Sequence, residues 1–490
     1  MTHWQVLIVV IPLLAAPLAT LLRGRVAPWL LATAVSWTVL AVALFLITKV
    51  YSYGTLSYAL GGWAAPIGIE YRLDAANALV QLLIALVAAV VMPYALVSAR
   101  RDIDNDRQPG FYAAMLLLLA GLLGITATGD AFNVFVFLEI SSLSTYTLIA
   151  LGRDRKALTS AFRYLIMGTV GATFFLIGVG LLYAMTGTLN MADLAQRLPE
   201  VSDTRTMHTA VAFLVVGVCL KLALFPLHLW LPNAYTYAPS TVTALVAATS
   251  TKVAVYVLIR FLYSIFGIDF SFGKLPLSQI LLALAVIGML VASAVAINQP
   301  NAKRLLAYSS VAQVGYMVLG LALASSLGVT AALLHMFNHA LMKGALFLAL
   351  GCIAYRVGNN DVDRMRGLGK AMPWTMAAFV IGGLSLIGVP LTVGFISKWY
   401  LVLAALEQGW WWLVVVILVS SLLAVIYIWR IVEVAYFQPS ESRDVQREAP
   451  LGLLLPTWAL VLMNLWFGVD TRLSVGLAEQ AALALTGIGP

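Results

Sequence analysis

Fourteen runs of apolar residues, each long enough to cross a lipid bilayer as a helix, follow one another along this chain of 490 residues. A membrane-spanning helix needs about 20 apolar residues, and these runs lack the alternation over about ten residues that is typical of a barrel strand. The sequence therefore predicts an all-α polytopic membrane protein with about 14 transmembrane helices. We number them as spans 1 to 14 and place them at residues 5–22, 29–50, 73–98, 110–127, 130–150, 159–185, 209–236, 239–266, 276–297, 304–325, 327–355, 373–400, 410–437 and 450–469.

The composition excludes the other broad classes of protein. Hydrophobic residues make up 62% of the chain and charged residues 10%, whereas soluble domains are about 45–50% apolar and about 25% charged. Disordered chains need low hydrophobicity and high charge. The two cysteines, Cys219 and Cys352, lie in apolar runs without the spacing of a metal site, so we interpret both as small core residues.

Basic residues in the loops predict the orientation of the chain. Loops after odd-numbered spans contain sixteen basic residues, namely Arg23, Arg25, Arg100, Arg101, Arg107, Arg153, Arg155, Lys156, Lys303, Arg304, Arg356, Arg364, Arg366, Lys370, Arg443 and Arg447. Loops after even-numbered spans contain four, namely Arg72, Arg197, Arg205 and Lys274. Because cytoplasmic loops are enriched in Lys and Arg, we expect both termini outside a bacterial cell (inner) membrane. The net charge of +8 then reflects cytoplasmic loops and does not indicate a nucleic-acid partner.

A few charged residues lie deep inside the spans. They are Glu139, Lys221, Lys252, Lys343 and Lys398. A charge at the centre of a bilayer costs at least about 2.5–3.5 kcal/mol, so such residues pair with one another or line water, and they are candidates for ion or proton pathways. For Glu139 the alternative is a structural ion pair that holds two helices together.

Span 7 contains two prolines that interrupt its helix. Pro226 and Pro232 follow Lys221 and stand six residues apart, a spacing that a regular helix does not accommodate. Broken backbone at membrane depth is tolerated only inside protein or beside a water-filled cavity. A lysine next to such a break is typical of a transporter site, and the alternative is a purely structural kink.

Span 12 repeats this pattern. Gly388, Pro390 and Gly394 precede Lys398 in one apolar run. Interrupted helices at corresponding places in two halves indicate an inverted-repeat transporter. We therefore predict four units: residues 1–109 with spans 1–3, 110–266 as a first five-helix repeat with spans 4–8, 276–437 as a second with spans 9–13, and 438–490 with span 14 and the tail.

Span 11 carries three titratable residues on one face. His335, His339 and Lys343 are spaced four residues apart and therefore lie in register along a helix. One helix reversal separates Lys221 from Lys252, so these two lysines are expected at similar depth in adjacent helices. The register favours proton transfer, with hydrogen-bonded core histidines as one alternative. A metal pair is another, although no Cys, Asp or third His stands near it in sequence.

The chain lacks the motifs of cofactor-dependent or hydrolytic enzymes. We find no GxGxxG, P-loop, GxSxG, HExxH or CxxC pattern. We therefore expect no bound cofactor and no metal, and a transporter subunit in place of an enzyme.

Several of these motifs together resemble the antiporter-like subunits of respiratory complex I. They are the stretches 129–139, 221–239 with Lys252, and 305–310, the His335, His339 and Lys343 set, and 394–398. Within that superfamily the chain is most similar to the D subunits of Mrp-type multisubunit Na⁺/H⁺ antiporters, on the stretches 61–63, 234–235, 366–373 and 385–398. The similarity covers about spans 3–13.

The resemblance implies a fold of 14 helices with two inverted five-helix repeats, broken helices 7 and 12, and a central polar axis. It implies an ion pair between Glu139 and Lys221, and a proton path that continues through Lys252, His339, Lys343 and Lys398. The chain departs from many relatives at two positions, with Arg163 in place of Lys and Asn233 in place of Asp.

The function that this resemblance implies is proton translocation in a multisubunit monovalent cation (Na⁺)/H⁺ antiporter. The partners would be other subunits of that complex, the lipid bilayer, H⁺, and Na⁺ or else K⁺ or Li⁺. One alternative is a proton-pumping subunit of NADH-quinone oxidoreductase (complex I) or of a membrane-bound hydrogenase. A second alternative is a passive membrane scaffold that holds partner subunits.

Overall fold

A computed structural model describes residues 3–439 and 447–487 of the chain. Residues 440–446 and 488–490 of the predicted unit 438–490, and residues 1–2 of the unit 1–109, lie outside the described residues. The first half of the chain contains α1 (Trp4–Leu21), α2 (Val26–Tyr53), β1 (Leu56–Ala59), β2 (Glu70–Leu73), α3 (Ala75–Asp102), α4 (Gln108–Ala127), α5 (Ala131–Ala150), α6 (Arg155–Thr186), α7 (Met191–Val201), α8 (Arg205–Leu222), α9 (Leu231–Tyr237) and α10 (Ser240–Ile259). The second half contains α11 (Leu277–Ile297), α12 (Ala302–Ala322), α13 (Ser326–Val357), α14 (Leu368–Ala371), α15 (Pro373–Ile387), α16 (Val393–Glu407), α17 (Trp411–Phe437), α18 (Leu451–Val469) and α19 (Arg472–Thr486).

The described residues include 13 helices that are long and apolar enough to cross a membrane. The predicted span at 373–400 is absent from these because its helix is divided into α15 and α16, each of 15 residues. Together they supply the fourteenth span. The prediction of an all-α membrane protein with about 14 spans and broken helices 7 and 12 is confirmed.

Span 7 breaks where the two prolines predict. The helix α8 ends at Leu222, Ala223 adopts a left-handed conformation with φ of 59°, and α9 begins only at Leu231. The break leaves carbonyl groups without helical partners. The indole Nε1 of Trp230 donates to the carbonyl of Leu220 at 3.0 Å, so one of these carbonyls is satisfied by a side chain from the far end of the break.

Span 12 breaks at a glycine. The helix α15 ends at Ile387, and Gly388 follows in the left-handed region with φ of 95°, where glycine carries no steric penalty. The two half-helices then approach very closely, because a Cβ atom added to Gly394 would lie 1.7 Å from the carbonyl oxygen of Ser385. Glycine is therefore required at position 394.

Three helices, α10, α12 and α13, form the centre of the bundle. In the most apolar part of α12, 94% of the residues are buried, and in that of α13 the share is 78%, whereas the value for α17 is 33%. The exposed side chains of the outer helices are apolar, among them Leu418, Leu422 and Trp429 of α17. A helix that is apolar on its exposed face is suited to lipid contact. Buried polar residues are accordingly concentrated in α10, α12 and α13.

Five elements occupy segments outside the predicted spans or at their edges. The strands β1 and β2 pair as an antiparallel hairpin in the loop 51–72 and the first residue of span 3. The amphipathic helix α7 lies in the loop 186–208, and the short α14 lies between α13 and α15. The tail forms α19, whose buried side includes Leu477, Ala478 and Ala481 and which contacts α3 and α13.

The two predicted repeats have the same order of helices. In each, the third span is a single helix of 32 residues, α6 or α13, and the fourth is broken. The residue limits of the four predicted units remain a prediction.

Candidate functional site

A buried ion pair joins α5 to α8. The Nζ atom of Lys221 lies 3.2 Å from Oε1 of Glu139 and donates to Oγ of Ser142 at 2.8 Å. Lys221 stands in the last turn of α8, directly before the break. Its side chain is 6% exposed and that of Glu139 is 22% exposed. The sequence prediction that these two residues pair is therefore matched by the geometry.

A small cavity extends from Lys221 towards α10. It has a volume of about 20 Å³ and is lined by Ser142, Thr145, Lys221 and Ser250, among other residues. That volume is enough for one water molecule. The Oγ atom of Ser250 has no hydrogen-bond partner among the described residues and stands two residues before Lys252. The cavity therefore lies between the ion pair and the face of α10 that carries Ser250, and Lys252 does not line it.

Two fully buried lysines follow at the centre of the bundle. Lys252 donates to the carbonyl of Ala247 and to Oγ1 of Thr251. Lys343 donates to the carbonyl of Leu306 at 2.8 Å and to Oγ of Ser309. The two lysines are close enough to act on each other electrostatically. Each ammonium group donates only to neutral oxygen atoms, and neither has a carboxylate partner within the described residues.

The two histidines of α13 connect this centre to α12 and α16. Their rings stack with centroids 5.9 Å apart. His335 bonds through Nδ1 to Oγ of Ser397 at 2.9 Å and through Nε2 to Oε1 of Gln313 at 2.8 Å. His339 is fully buried, and neither of its ring nitrogens has a hydrogen-bond partner among the described residues. A buried polar atom without a partner calls for an explanation, and His339 is therefore the least satisfied of the predicted site residues.

Lys398 occupies the break of span 12. Its Nζ atom donates to the carbonyls of Leu386 at 3.1 Å and Ile387 at 2.8 Å, at the end of α15, and to Oγ of Ser421 at 2.9 Å. The carbonyls at a helix C-terminus carry partial negative charge, which favours a cation there. Its ammonium also lies 5.0 Å from the centroid of the Tyr316 ring, and that ring stacks on His335 at 5.3 Å.

All seven titratable residues predicted for the site lie on one buried polar axis through the middle of the bundle. The predicted helix breaks lie beside the ends of this axis. We define the polar axis as Glu139, Lys221, Lys252, His339, His335 and Lys398, with Lys343 as a branch. The breaks are formed around Pro226, Pro232, Gly388, Pro390 and Gly394.

Sequence reasoning missed several polar residues that contact or adjoin this axis. Gln313 and Tyr316 follow at three-residue spacing on α12, and a search for polar residues at helical spacing in that span would have found them. The full set is Ser142, Ser250, Ser309, Gln313, Tyr316, Ser397 and Ser421.

Two other charged residues inside spans have structural contacts. Arg260 pairs with Asp74, the residue that caps α3. Arg430 donates to the carbonyls of Ile297 and Gln299 at the end of α11. Arg163, a position at which the chain departs from many relatives, is exposed on α6.

No group of three or more His, Cys, Asp or Glu residues in the described part of the chain could hold a metal ion. His335 uses both ring nitrogens for Ser397 and Gln313. Of the two histidines on α13, His335 is therefore hydrogen-bonded at both nitrogens and His339 at neither, among the described residues.

Residues 128–424, which include the whole polar axis, match the family model described as NADH:quinone oxidoreductase/Mrp antiporter, TM. This match covers more than half of the chain. The chain belongs to this family. The resemblance inferred from the motifs is thereby confirmed.

Relatives come from two kinds of complex. The chain is 44% identical to the N subunit of NADH-quinone oxidoreductase from Desulforudis audaxviator, with 98% of each chain covered. It is 35% identical to the D subunit of the Na⁺/H⁺ antiporter from Alkalihalophilus pseudofirmus, with 88% of this chain and 86% of the relative covered. The chain is therefore a membrane subunit of a complex I-like antiporter family.

Two solved structures share the fold over nearly the whole chain. One is the membrane-bound sulfane sulfur reductase, an archaeal respiratory membrane complex, with a TM-score of 0.92 and 31% identity. The other is the Mrp complex from Dietzia, with a TM-score of 0.90 and 27% identity. Each match covers 99% of this chain and 98% of the other.

Proposed function

We propose that this chain is the proton-translocating membrane subunit of a multisubunit monovalent cation (Na⁺)/H⁺ antiporter, and that protons move along the polar axis between Glu139 and Lys398. Its partners are then the other subunits of that complex, the surrounding lipid, H⁺, and Na⁺ or another monovalent cation. The odd-numbered loops face the cytoplasm of a bacterial cell, and both termini lie outside.

The observation that carries this proposal is the continuity of the axis. A hydrogen bond and one small cavity connect Glu139 and Lys221 to α10, and ring contacts and a hydrogen bond connect His339 and His335 to the α16 residues Ser397 and Lys398. Lys252 of α10 acts electrostatically on His339, which relates the two stretches. Titratable residues at membrane depth are costly, and those that a chain nevertheless contains mark ion or proton pathways. A passive scaffold gives no reason for five buried lysines, of which only Lys221 has a carboxylate partner among the described residues.

The ion pair at the start of the axis can act as a switch. While Glu139 and Lys221 are in contact, the carboxylate stabilises the ammonium group. When the pair separates, a charged Lys221 is left buried without a counter-ion, which is unfavourable. The proton then leaves through the water-sized cavity beside Ser250 to Lys252. From there the histidines carry it towards Lys398, and return of the carboxylate to Lys221 resets the site.

Replacement of Lys252 by Met tests the middle of this path. Met fills similar volume but carries no proton, so we expect the initial rate of proton movement to fall by about tenfold or more. The measurement is the change of a pH-sensitive dye after a Na⁺ pulse, in vesicles that contain the complete complex. Lys274→Met is the control, because Lys274 is exposed and pairs with Asp203 at the surface. An unchanged rate in Lys252→Met, with the complex assembled, would exclude the proposed path.

A redox-driven proton pump is the second candidate, favoured by the 44% identity to an N subunit of NADH-quinone oxidoreductase. Transport assays in the same vesicles distinguish the antiporter from the redox-driven pump. An antiporter dissipates an imposed pH gradient when Na⁺ or K⁺ is added without any electron donor. A redox pump acidifies or alkalises the lumen only when a donor and a quinone are supplied, and is indifferent to Na⁺.

A further inference from the structure

A polar cavity lies at one end of the bundle, outside the polar axis. It has a volume of about 340 Å³ and is located at the end of the bundle where α10 and α12 begin. Its lining comes from the loop after α5, the segment between α9 and α10, the start of α12 and the end of α13. Exposed Arg153 and Asp154 stand at its rim, whereas Ser240, Lys303 and Asn360 on its wall are buried. The basic loops identify this end as the cytoplasmic one.

Lys303 is the buried cation of this cavity. It is 5% exposed and donates through Nζ to the carbonyl of Ala238 at 2.9 Å and to Oγ1 of Thr243 at 3.3 Å. Asp102 acts on it electrostatically, although the carboxylate of Asp102 bonds to Ser98 and to the backbone N–H of Ser240. A lysine that is buried in this way, with only neutral oxygens as direct partners, is costly for stability alone.

Lys303 also lies close to both central lysines. Leu306 follows it by one turn on α12, and the carbonyl of Leu306 accepts from Lys343. Thr243, its hydroxyl partner, is followed one turn later on α10 by Ala247, whose carbonyl accepts from Lys252. One turn of helix rises about 5.4 Å. Lys303 therefore stands between the cavity and the two carbonyls that hold the central lysines.

We propose that this cavity is the cytoplasmic entrance for protons and that Lys303 is the relay between its water and the central lysines Lys252 and Lys343. The ammonium of Lys303 releases one proton inward and takes one from the water of the cavity, so only N–H and O–H bonds form and break. The inference deepens the proposed function and rests on it, since it supplies that path with an entrance.

Two substitutions of Lys303 distinguish a proton relay from a structural role. Lys303→Met removes the charge and the donor, and Lys303→Arg keeps both but cannot release its proton. A relay predicts that both variants lower the initial rate of proton movement by about tenfold or more. A fixed structural cation predicts that Arg restores the rate, and that result would overturn the inference. So would an unchanged rate in Lys303→Met.

The measurement uses the complete complex in vesicles, with assembly checked by size-exclusion chromatography. Lys370→Met is the matched control, because Lys370 is exposed on α14 and does not line the cavity. Lys252→Met is assayed in parallel. If Lys252→Met is inactive and the Lys303 variants are active, only the entrance is excluded. If Lys252→Met is active, the proposed function itself fails.

If the Lys303 variants do not assemble, a second experiment tests whether protons enter through the cavity. Cys219 and Cys352 are both buried and are replaced by Ala. Asn359→Cys then places one thiol in the cavity wall, and Asn298→Cys places one at the same end on an exposed position outside it. Modification by a membrane-impermeant methanethiosulfonate is expected to lower the rate several-fold for Asn359→Cys only. Complete modification of Asn359→Cys without loss of rate would show that protons do not enter here.

Discussion

Replacement of Lys221 by Ala is expected to abolish proton transport while the complex still assembles. The Lys221 ammonium group bonds to both Glu139 and Ser142 and borders the cavity that leads to α10. Without it the ion pair and the first step of the axis are both lost, and we expect the rate to fall by about 100-fold or more. The measurement is the Na⁺-dependent and K⁺-dependent dissipation of a pH gradient in vesicles that carry the full complex.

The fold should survive this change because the partner carboxylate is not fully buried. Breaking a fully buried pair costs about 3–5 kcal/mol, but the side chain of Glu139 is 22% exposed and can be solvated or neutralised. Lys221→Arg is the informative companion variant. Arg retains the ion pair with Glu139 but does not release its proton, so this variant should also be inactive in proton transport. Lys274→Ala is the control for loss of one lysine at the surface. Full transport by Lys221→Ala would refute the switch.

Replacement of Gly394 by Ala is expected to prevent the two halves of span 12 from packing. The added Cβ would lie 1.7 Å from the carbonyl oxygen of Ser385 and 3.2 Å from Sδ of Met342. A backbone oxygen cannot move aside as a flexible side chain can, so α15 and α16 must separate. Because Lys398 is held by carbonyls at the end of α15, we expect loss of transport together with a lower yield of assembled complex.

Gly180 supplies the matched control for this substitution. It lies inside α6, and a Cβ added there meets no atom within 4 Å. Gly180→Ala should leave transport unchanged and stabilise the helix by about 0.5–1 kcal/mol. The two variants are compared by the yield of complex after purification and by the temperature at which half of the transport activity is lost. Equal yield and activity in Gly394→Ala and Gly180→Ala would contradict the close crossing of the half-helices.

Lys303 shows what reasoning from sequence did not detect. The sequence places it, with its neighbour Arg304, among the basic residues of the loop after span 9. In the structure α12 begins at Ala302, and the Lys303 side chain turns inward to Ala238 and Thr243, which lie about 60 residues earlier in the chain. Whether a residue at a helix end faces water or protein depends on the neighbours that pack there, and a pattern within one helix does not carry that information.

For His335, His339 and Lys343, the sequence predicts the arrangement within the helix. Helical spacing alone places these three residues on one face, and the structure has them there, in a stretch of α13 whose residues are all buried. Their partners Gln313, Tyr316 and Ser397 come from α12 and α16, and no spacing rule connects separate helices.

The sequence by itself determined the membrane class, the number of spans and the places where spans 7 and 12 break, because each depends on local composition and on the backbone chemistry of proline and glycine. It also identified the buried charges, since the cost of a charge in a bilayer depends on its depth within one span. Only the tertiary structure decided the order in which these charges meet. The contact between Glu139 and Lys221 joins residues 82 positions apart, and such contacts arise from the packing of whole helices against one another.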